Sequence, residues 1–576
     1  MISQWTKGSN QARQQRVFAC VIALDDYFYR CNDVKKIDFS CNTQFGAYCA
    51  EALRESISTE EFLHESVIFL DVGSLACNIK VLLAKLNDIR PGILVIVPCG
   101  RYRDVTYSII SKVINASNCL VSVLAGPCLP DEPYTVMTKL PSLNGVMLGD
   151  DFQLLGEVVD FTMHKRHYYQ RLSSIPGFIW RKSDGSLKLI KCSTPPNTLG
   201  TISLKFRQSS IASVASKKPT SDNFRKWLID SSSGCSRECI FCRTPIIALR
   251  QGHSCWRPRS ALAIANEIEE VVNTFGISEF RFQDDNFLMN SPDAWARCDE
   301  FAEELCRRNL KIHFQIMVHP AVIANAKDSE RKRAFIALEA VGLERVFMGI
   351  ESGHDPTLNY FRKETSVSAN EFSLQWLSKR HLLIICGAVV FHPRTTLEQL
   401  RAEYSFFRRW IENPRVASLA PLASYAHLIP GTVIAQEVRN RCLETHDEAE
   451  FRPADQTAAR AMLGILELRR HLFPYDWFLF TVKRDLIHWE RTLGEHINIV
   501  EQLTPYIKQA SIAGIDATHE VIETAGAGNS CTGIIDNWGK KLYQHATQLS
   551  NVIKTTPFAT HWRASLYDPI FNDTKE

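Results

Sequence analysis

The sequence lacks three features that would place it in a broad class at once. No uninterrupted apolar run is long enough to span a bilayer. The opening residues, Met1 to Arg16, are polar and contain no apolar core of a secretory signal. The net charge is only +3, which is too small to favour binding to nucleic acid. We therefore expect a cytoplasmic protein without a membrane span and without a nucleic-acid partner.

A disulfide-stabilised structure is a further class that the sequence does not favour. The chain has 18 cysteines, but they are scattered over 576 residues rather than concentrated in a small domain. With 45% hydrophobic and 22% charged residues, the composition is that of an ordinary globular protein, and the length indicates several domains. We therefore expect most of the cysteines to be reduced thiols.

Three cysteines form the most informative local pattern in the chain. Cys235, Cys239 and Cys242 follow one another at C-x3-C-x2-C spacing on a single short stretch. A cubic [4Fe–4S] cluster normally takes four thiolates, so a loop with three leaves one iron open to a substrate or cofactor. A closed zinc site remains an alternative, because His253 or Cys255 could supply a fourth ligand.

Residues 1–160 alternate short apolar stretches with helical ones. Such alternation predicts an α/β domain with a doubly wound, Rossmann-like parallel sheet, which binds ligands at the carboxyl ends of its strands. The loops after Asp71, Val97 and Ala125 would line that edge. The predicted strands are Val17–Leu24, Val67–Asp71, Pro91–Val97, Leu120–Ala125 and Val146–Asp150, and the predicted helices are Phe45–Leu53, Ile79–Leu86 and Val105–Ile114.

Residues 224–452 repeat a strand–helix unit, which predicts an open or closed β/α barrel with its chemistry at the carboxyl ends of the strands. The predicted strands include Glu279–Phe287, Lys311–Val318, Arg345–Gly353 and Leu382–Val390, and the predicted helices Ala261–Phe275 (capped by Ser260), Pro292–Asn309, Lys332–Val341, Asn370–Lys379 and Thr395–Trp410.

Two further segments complete the predicted organisation. Residues 161–223 contain a small hairpin, followed by a linker rich in Ser, Thr, Pro and Lys. Residues 453–576 show helical periodicity and form a mainly α-helical domain. Gly526 and Gly528 resemble the first half of a dinucleotide fingerprint, but Cys531 occupies the place of the third glycine, and no strand-then-helix context supports the motif.

The cysteine loop and four later segments together resemble the radical S-adenosylmethionine (SAM) superfamily. The segments are FQDDNF, GIESG followed by Lys363, GAVVFHPRTTLEQL and HLIPGT, and they occur in the family's order and spacing. The resemblance implies a partial TIM barrel in which the three cysteines hold a [4Fe–4S] cluster. SAM would chelate the open iron, and its reductive cleavage would give a 5′-deoxyadenosyl radical. A low-potential electron donor such as flavodoxin or ferredoxin is also implied.

Several other residues become candidates through this resemblance and their positions. Phe241 matches an aromatic residue that packs by the adenine of SAM. Glu351 and Ser352 resemble positions that contact its amino acid or ribose part; hydrogen bonding within a strand end is the alternative. Asp284 and Asp285 end a predicted strand, where they could bind the SAM amino group or the substrate, or else cap the next helix. His392 and His427 lie at predicted strand ends and are candidate proton donors or structural histidines.

Residues 1–160 resemble the cobalamin-binding domain that precedes the radical core in one large subfamily. The resemblance lies in the order of elements, and the D-x-H-x-x-G loop whose histidine would ligate cobalt is absent. A degenerate domain that binds no corrin therefore remains an alternative. Arg101 and Arg103 follow the third strand and could face a bound corrin, although a solvated surface is the simpler interpretation.

This subfamily resemblance implies methylation of an unactivated carbon or of phosphorus, in a small-molecule or peptide substrate such as a specialised metabolite. A second possibility keeps the radical core, loses the corrin, and carries out a rearrangement, cyclisation, epimerisation or methylthio transfer. Methylthio transferases usually bring extra cluster cysteines and an RNA-binding barrel, which are not evident here. A third possibility, a cluster-bearing or corrin-binding sensor, would not need the ordered set of core motifs.

Overall fold

The structure is a computed structural model of the whole chain. It describes residues 19–23, 67–71, 79–98, 103–126, 129, 131–148, 155–158, 175, 177–190, 226–251, 256–417, 420–445, 450–493 and 497–557. The predicted helix Phe45–Leu53 and the predicted linker lie outside these residues.

The amino-terminal sheet has seven strands, of which the first five run parallel. They are β1 (Ala19–Ala23), β2 (Val67–Asp71), β3 (Ile93–Val97), β4 (Val121–Leu124), β5 (Gly145–Met147), β6 (Phe178–Arg181) and β7 (Leu187–Ile190). The spatial order is β2-β1-β3-β4-β5-β6-β7. Because β1 lies between β2 and β3, the chain winds outward first in one direction and then in the other, as expected for a doubly wound sheet.

Burial explains why these short apolar segments become strands. All five residues of β3 and all four of β4 are buried, because helices cover the sheet. The helices described around it are α1 (Ile79–Ile89), α2 (Arg103–Ser117) and α3 (Pro133–Lys139). A parallel sheet covered in this way requires continuous apolar strands, and that pattern is what identified them in the sequence.

The hairpin β6–β7 belongs to this first sheet. β6 pairs antiparallel with β5, and Val146 lies opposite Ile179. Trp180 packs against Gly145 so closely that a Cβ there would lie 2.5 Å from the indole ring. The first sheet therefore continues beyond residue 160, where the sequence predicted the end of the first domain. The sequence pattern of a hairpin does not indicate which edge strand the hairpin joins.

The central sheet has six parallel strands in the order β15-β14-β13-β12-β11-β8 and forms an open β/α barrel. Its strands are β8 (Lys226–Ile229), β11 (Glu279–Phe282), β12 (His313–Val318), β13 (Leu343–Glu351), β14 (Leu383–Ala388) and β15 (Val416–Ala417). The short strands β9 (Ser232–Ser233) and β10 (Arg257–Pro258) pair antiparallel beside it.

Helices follow the central strands and cover the outside of this sheet. They are α4 (Thr244–Gln251), α5 (Ala261–Phe275), α6 (Pro292–Arg307), α7 (Pro320–Asn325), α8 (Asp328–Ala340), α9 (Asp355–Tyr360), α10 (Val367–Ser378), α11 (Leu397–Ile411) and α12 (Val433–Asn440). The predicted cap is confirmed, since Ser260 accepts a hydrogen bond from the Ala263 amide at the start of α5.

Three long helices form the carboxy-terminal region: α13 (Gln456–Leu493), α14 (Ile497–Gly526) and α15 (Thr532–Lys554). Their apolar faces join the same hydrophobic core as the barrel. Gly526 ends α14, and Gly528 has a φ of +85° in the turn before α15. This helix–turn–helix context confirms that the Gly-rich stretch is not a dinucleotide loop. None of the helices among the described residues combines the length and apolarity needed to cross a membrane.

Candidate active site

The cysteine loop follows β8 at the carboxyl edge of the central sheet. Gly234, with φ of +84°, turns the chain out of β9 and into the loop. Two backbone hydrogen bonds then fix its far end: the Ile240 amide donates to the Phe361 carbonyl at 3.1 Å, and the Ile434 amide donates to the Ile240 carbonyl at 3.3 Å. The loop is therefore held between segments that are distant in sequence.

The three thiols of this loop lie close to one another. Burial raises the pKa of Cys235, Cys239 and Cys242, and that of Cys239 to about 12. The Cys242 thiolate would raise the pKa of both Cys235 and Cys239 further, and the Cys235 thiolate would raise that of Cys239, because like charges at short range repel. A bound cation would reverse this balance and hold the sulfurs as thiolates. Three soft sulfur ligands on one partly buried loop fit a [4Fe–4S] cluster.

Hydrogen bonds from Thr244 favour a negatively charged Cys242 sulfur and partly offset the effect of burial. The Thr244 amide, at the start of α4, points to the Cys242 Sγ atom at 3.4 Å. His253 and Cys255, the candidate fourth ligands of the alternative zinc site, lie outside the described residues.

A buried ion pair lies beside the cysteine loop. Lys363 Nζ contacts Glu351 Oε1 at 2.9 Å, with both side chains at most 12% exposed. Burial disfavours the charged ammonium, but the Glu351 carboxylate and then Cys239 outweigh this effect, so the pKa of Lys363 is raised. Gly349 makes room for the pair, because a Cβ there would lie 2.5 Å from Glu351 Oε1. The Lys363 ammonium lowers the pKa of Cys239, and the Glu351 carboxylate opposes this effect.

Glu351 itself takes an unusual backbone conformation. Its φ is +60°, and the pairing of β13 with β14 shifts register between Gly349 and Glu351. Such a bulge redirects side chains at the end of a strand. It directs the Glu351 carboxylate to Lys363, so the predicted candidate lies at the site next to the cysteine loop.

Ser352, the neighbouring candidate, is directed into the protein instead. It is fully buried, and its hydroxyl donates to Glu403 on α11. The Gly353 amide donates to the other oxygen of Glu403 at 2.6 Å. Asn370 completes the arrangement, because its amide donates to the carbonyls of Ile350 and Ser352 at 3.1 and 3.2 Å. The Ser352 side chain therefore shapes this strand end rather than facing a ligand.

The two adjacent aspartates of the FQDDNF segment have different surroundings. Asp284 is 1% exposed, and its carboxylate accepts hydrogen bonds from the amide and hydroxyl of Ser231 and the hydroxyl of Ser232. Arg297, also buried, offsets its charge and donates to the Phe287 carbonyl. The structure thus places Asp284 in the interior, where it organises the start of the cysteine loop.

Asp285 lies on the exposed side of the same turn. The Thr244 hydroxyl donates to Asp285 Oδ1 at 2.9 Å. Its negative charge raises the pKa of both Cys235 and Cys242, which places it within electrostatic range of the two thiols. Of the two predicted aspartates, Asp285 is the one positioned to meet a ligand at the cysteine loop.

Phe241 connects the cysteine loop to a group of aromatic rings that pack edge to face. Its ring packs edge to face on Phe361, with centroids 5.1 Å apart, and Phe361 packs in the same way on His392 at 5.0 Å. His392 is only 2% exposed, and burial lowers its pKa to about 3. Its Nδ1 atom accepts from the Arg394 amide at 3.3 Å. This placement favours a structural role for His392 over that of a proton donor.

His427, the second histidine candidate, is exposed and contacts the Tyr425 ring at 5.4 Å.

Sequence reasoning did not single out His319, which lies just after β12. Burial lowers the pKa of His319 to about 2, and its Nε2 atom lies 2.9 Å from the Lys363 carbonyl. A buried neutral histidine thus supports the backbone of the residue that pairs with Glu351.

Glu403 is the other residue that sequence reasoning missed, although a signal was present. In α11 it lies three residues after Leu400 and four before Phe407, so helical spacing places it on the buried face. Burial raises its pKa to about 7. A carboxylate on an apolar helix face requires a specific partner, and here that partner is the Ser352–Gly353 turn.

Comparison with known proteins agrees with this geometry. Residues 229–407 match the model of the Radical SAM superfamily. An uncharacterized methyltransferase of Pyrococcus horikoshii is 20% identical over 63% of this chain and 72% of its own length. An anaerobic magnesium-protoporphyrin IX monomethyl ester cyclase of Cereibacter sphaeroides is 23% identical over 42% of this chain and 39% of that enzyme.

Among solved structures, the fold is similar to the cobalamin-dependent SAM radical enzyme OxsB with aqua-cobalamin bound. The match has a TM-score of 0.64 at 14% identity and covers 92% of this chain and 84% of OxsB. It includes both the first sheet and the barrel, in the predicted order. Residues 229–407 of this chain therefore form a Radical SAM domain, and the chain has the fold of the cobalamin-dependent SAM radical enzyme OxsB.

Proposed function

We propose that this protein is a cobalamin-dependent radical SAM methyltransferase that methylates an unactivated carbon, or phosphorus, of a small-molecule or peptide substrate. The observation that carries the proposal is the combination of two sites on one chain. A three-cysteine loop lies at the carboxyl edge of a β/α barrel, and a doubly wound sheet precedes it. The relative from Pyrococcus horikoshii is named a methyltransferase, which supports this reaction class.

The chain's own residues have defined roles in this proposal. Cys235, Cys239 and Cys242 hold a [4Fe–4S] cluster, which supplies a low-potential electron for cleavage of SAM when bound. Glu351 and Asp285 offer the carboxylates nearest to the thiols for the SAM amino group.

Other side chains would orient these groups and exclude water. The Lys363 ammonium fixes the direction of the Glu351 carboxylate, and the Thr244 hydroxyl does the same for Asp285. Phe241 contributes an apolar face beside the loop.

The first sheet provides the natural position for cobalamin. In doubly wound sheets with this strand order, ligands bind at the switch point between β1 and β3. No histidine lies in the part of this domain that the structure describes, and the sequence lacks the D-x-H-x-x-G loop. We therefore propose that cobalamin binds here without the cobalt ligand that the histidine of such a loop would supply. Arg101 lies outside the described residues, whereas Arg103 begins α2.

A second candidate is a radical SAM cyclisation or rearrangement without cobalamin. It is favoured by the similarity to the magnesium-protoporphyrin cyclase, although this chain spans less than half of that enzyme. The two proposals differ in one observable, because only the first requires cobalt.

The decisive experiment is anaerobic purification after growth with hydroxocobalamin, followed by iron and cobalt analysis and an assay for products of SAM. About four irons and one cobalt per chain, with both 5′-deoxyadenosine and S-adenosylhomocysteine formed, would support the methyltransferase. Iron and 5′-deoxyadenosine without cobalt would favour the second candidate. Iron-free protein that does not cleave SAM after reconstitution would contradict both, and would fit a sensor better.

A matched pair of cysteine variants separates the cluster from general effects of cysteine loss. Cys242→Ala should lose the cluster and all SAM cleavage, because it removes one of three ligands. Cys442→Ala changes an exposed cysteine after α12 and should keep both. Retained cleavage in Cys242→Ala would contradict the assignment of the loop.

A further inference from the structure

Two histidines and a glutamate converge at the opposite edge of the barrel from the cysteine loop. His313 is the first residue of β12, Glu344 is the second of β13, and His488 lies near the end of α13. Their ligand atoms all lie within 4.8 Å of one another. We propose that these three side chains form a binding site for a divalent transition-metal ion of the zinc class, independent of the proposed catalytic function.

The distances fit such an ion with small adjustments. The Nδ1 atoms of His313 and His488 lie 2.7 and 2.9 Å from the same oxygen, Glu344 Oε1. In a tetrahedral zinc site, with ligand distances near 2.0–2.2 Å, neighbouring ligand atoms are about 3.3 Å apart. A shift of roughly half an ångström in each side chain would therefore admit the ion.

The chemistry of the three ligands selects the kind of ion. The two imidazoles are borderline donors and the carboxylate is a hard one, and a site with two imidazoles suits Zn²⁺, Co²⁺ or Ni²⁺ better than Mg²⁺ or Ca²⁺, which prefer oxygen ligands alone. Glu344 is 3% exposed in its side chain, whereas His313 and His488 are 32% and 36% exposed. The Glu344 carboxylate thus approaches the site from the protein interior, and the two histidines face solvent in part. Solvent on the histidine side leaves room for a water molecule as the fourth ligand.

Neighbouring charges are compatible with a cation at this point. Arg345 approaches the second oxygen of Glu344 at 3.9 Å, but it is itself paired with Glu279 at 2.8 Å. Asp485, one helical turn before His488, is paired with Arg484. The carboxylates of Glu344, Glu279 and Asp485 therefore outnumber the guanidinium groups of Arg345 and Arg484. A cation bound here meets no net positive charge from these side chains.

The position indicates a structural role. β12 is six residues long, so the cluster lies on the order of 20 Å from the carboxyl edge of the sheet where the cysteine loop is found. Two ligands come from the barrel and one comes from the carboxy-terminal helical region. A metal ion here would join α13 to the base of the barrel and stabilise their contact.

The test uses the full-length chain with Cys235, Cys239 and Cys242 changed to alanine, so that no iron cluster obscures the measurement. This parent protein is titrated with Co²⁺ and Zn²⁺ under anaerobic conditions. Glu344→Gln removes the anionic ligand but keeps an oxygen that can accept a hydrogen bond. His381→Ala is the matched control, because His381 pairs with Glu490 nearby and offers no ligand to the cluster.

We expect the parent and His381→Ala to bind one equivalent of metal, with cobalt absorption free of sulfur-to-metal charge transfer. Glu344→Gln and His488→Ala should each bind at least about tenfold more weakly. Zn²⁺ should raise the unfolding temperature of the parent but not of Glu344→Gln, which also shows whether that variant folds. Equal affinity in all four proteins, sulfur charge transfer at the first equivalent, or no saturable binding would overturn the proposal.

Discussion

Glu403 allows a quantitative prediction of how stability depends on pH. Burial raises its pKa from 4.5 to about 7 in the folded protein. Between these pH values the folded state keeps a proton that the unfolded state releases, so the stability of the wild type falls as pH rises. A difference of about 2.5 pKa units corresponds to about 3 kcal/mol. Glu403→Gln stays neutral. Because part of the wild-type loss already occurs below pH 5, the variant should gain about 2.5 kcal/mol relative to the wild type between pH 5 and pH 8.

Thermal unfolding at the two pH values measures this gain. For a unit of 150–250 residues, about 2.5 kcal/mol corresponds to roughly 5–10 °C. The unfolding temperature of Glu403→Gln relative to the wild type should rise by about this amount between pH 5 and pH 8. Glu398→Gln, at an exposed position in the first turn of the same helix, is the control and should show little change. An equal offset between Glu403→Gln and the wild type at both pH values would refute the reasoning.

Two further predictions concern residues that support the cysteine loop. Arg297→Met should destabilise the barrel by about 3–5 kcal/mol, because it leaves the buried Asp284 carboxylate without its cation; urea unfolding measures this, and the exposed Arg307→Met is the control. Gly349→Ala should keep the iron content but weaken SAM binding at least about tenfold, because its Cβ would lie 2.9 Å from Lys363 Nζ. Equilibrium dialysis with labelled SAM tests the second prediction, and unchanged affinity would contradict it.

The sequence predicted the regular elements well where burial alone decides them. Helix α5 has the predicted bounds, Ala261–Phe275, because its apolar spacing, its Ser260 cap and the following Gly276 all mark the same segment. The strands of both parallel sheets were recognisable as short apolar runs for the same reason. Predicted strands ran too long at their carboxyl ends, as in Glu279–Phe287 against the observed Glu279–Phe282. The polar residues at these strand ends lie at the candidate active site and do not take part in the hydrogen-bonded pairing of the strands.

The site itself was only partly predictable, because its support comes from distant segments. The cysteine spacing identified the loop, but the partners of Ser352 and Lys363 lie on other elements and left no local pattern. Asp284 could have been recognised as internal from the pleat of the strand. It lies two residues after the buried Phe282, and alternation directs residues two apart to the same side.

The paired carboxylates at the two strand ends follow one rule. After β11, Asp284 turns inward and fixes the backbone, while Asp285 stays at the surface near the thiols. After β13, the inward carboxylate comes from another helix, since Glu403 fixes the Ser352–Gly353 turn and leaves Glu351 beside the loop. Each of these two strand ends thus combines one fully buried acid that holds its shape with a second acid near the thiols, which is exposed in the case of Asp285 and ion-paired in the case of Glu351. Asp285 lies within electrostatic range of Cys235 and Cys242, and Glu351 within that of Cys239, so both carboxylates would be near a cofactor amino group bound at the loop.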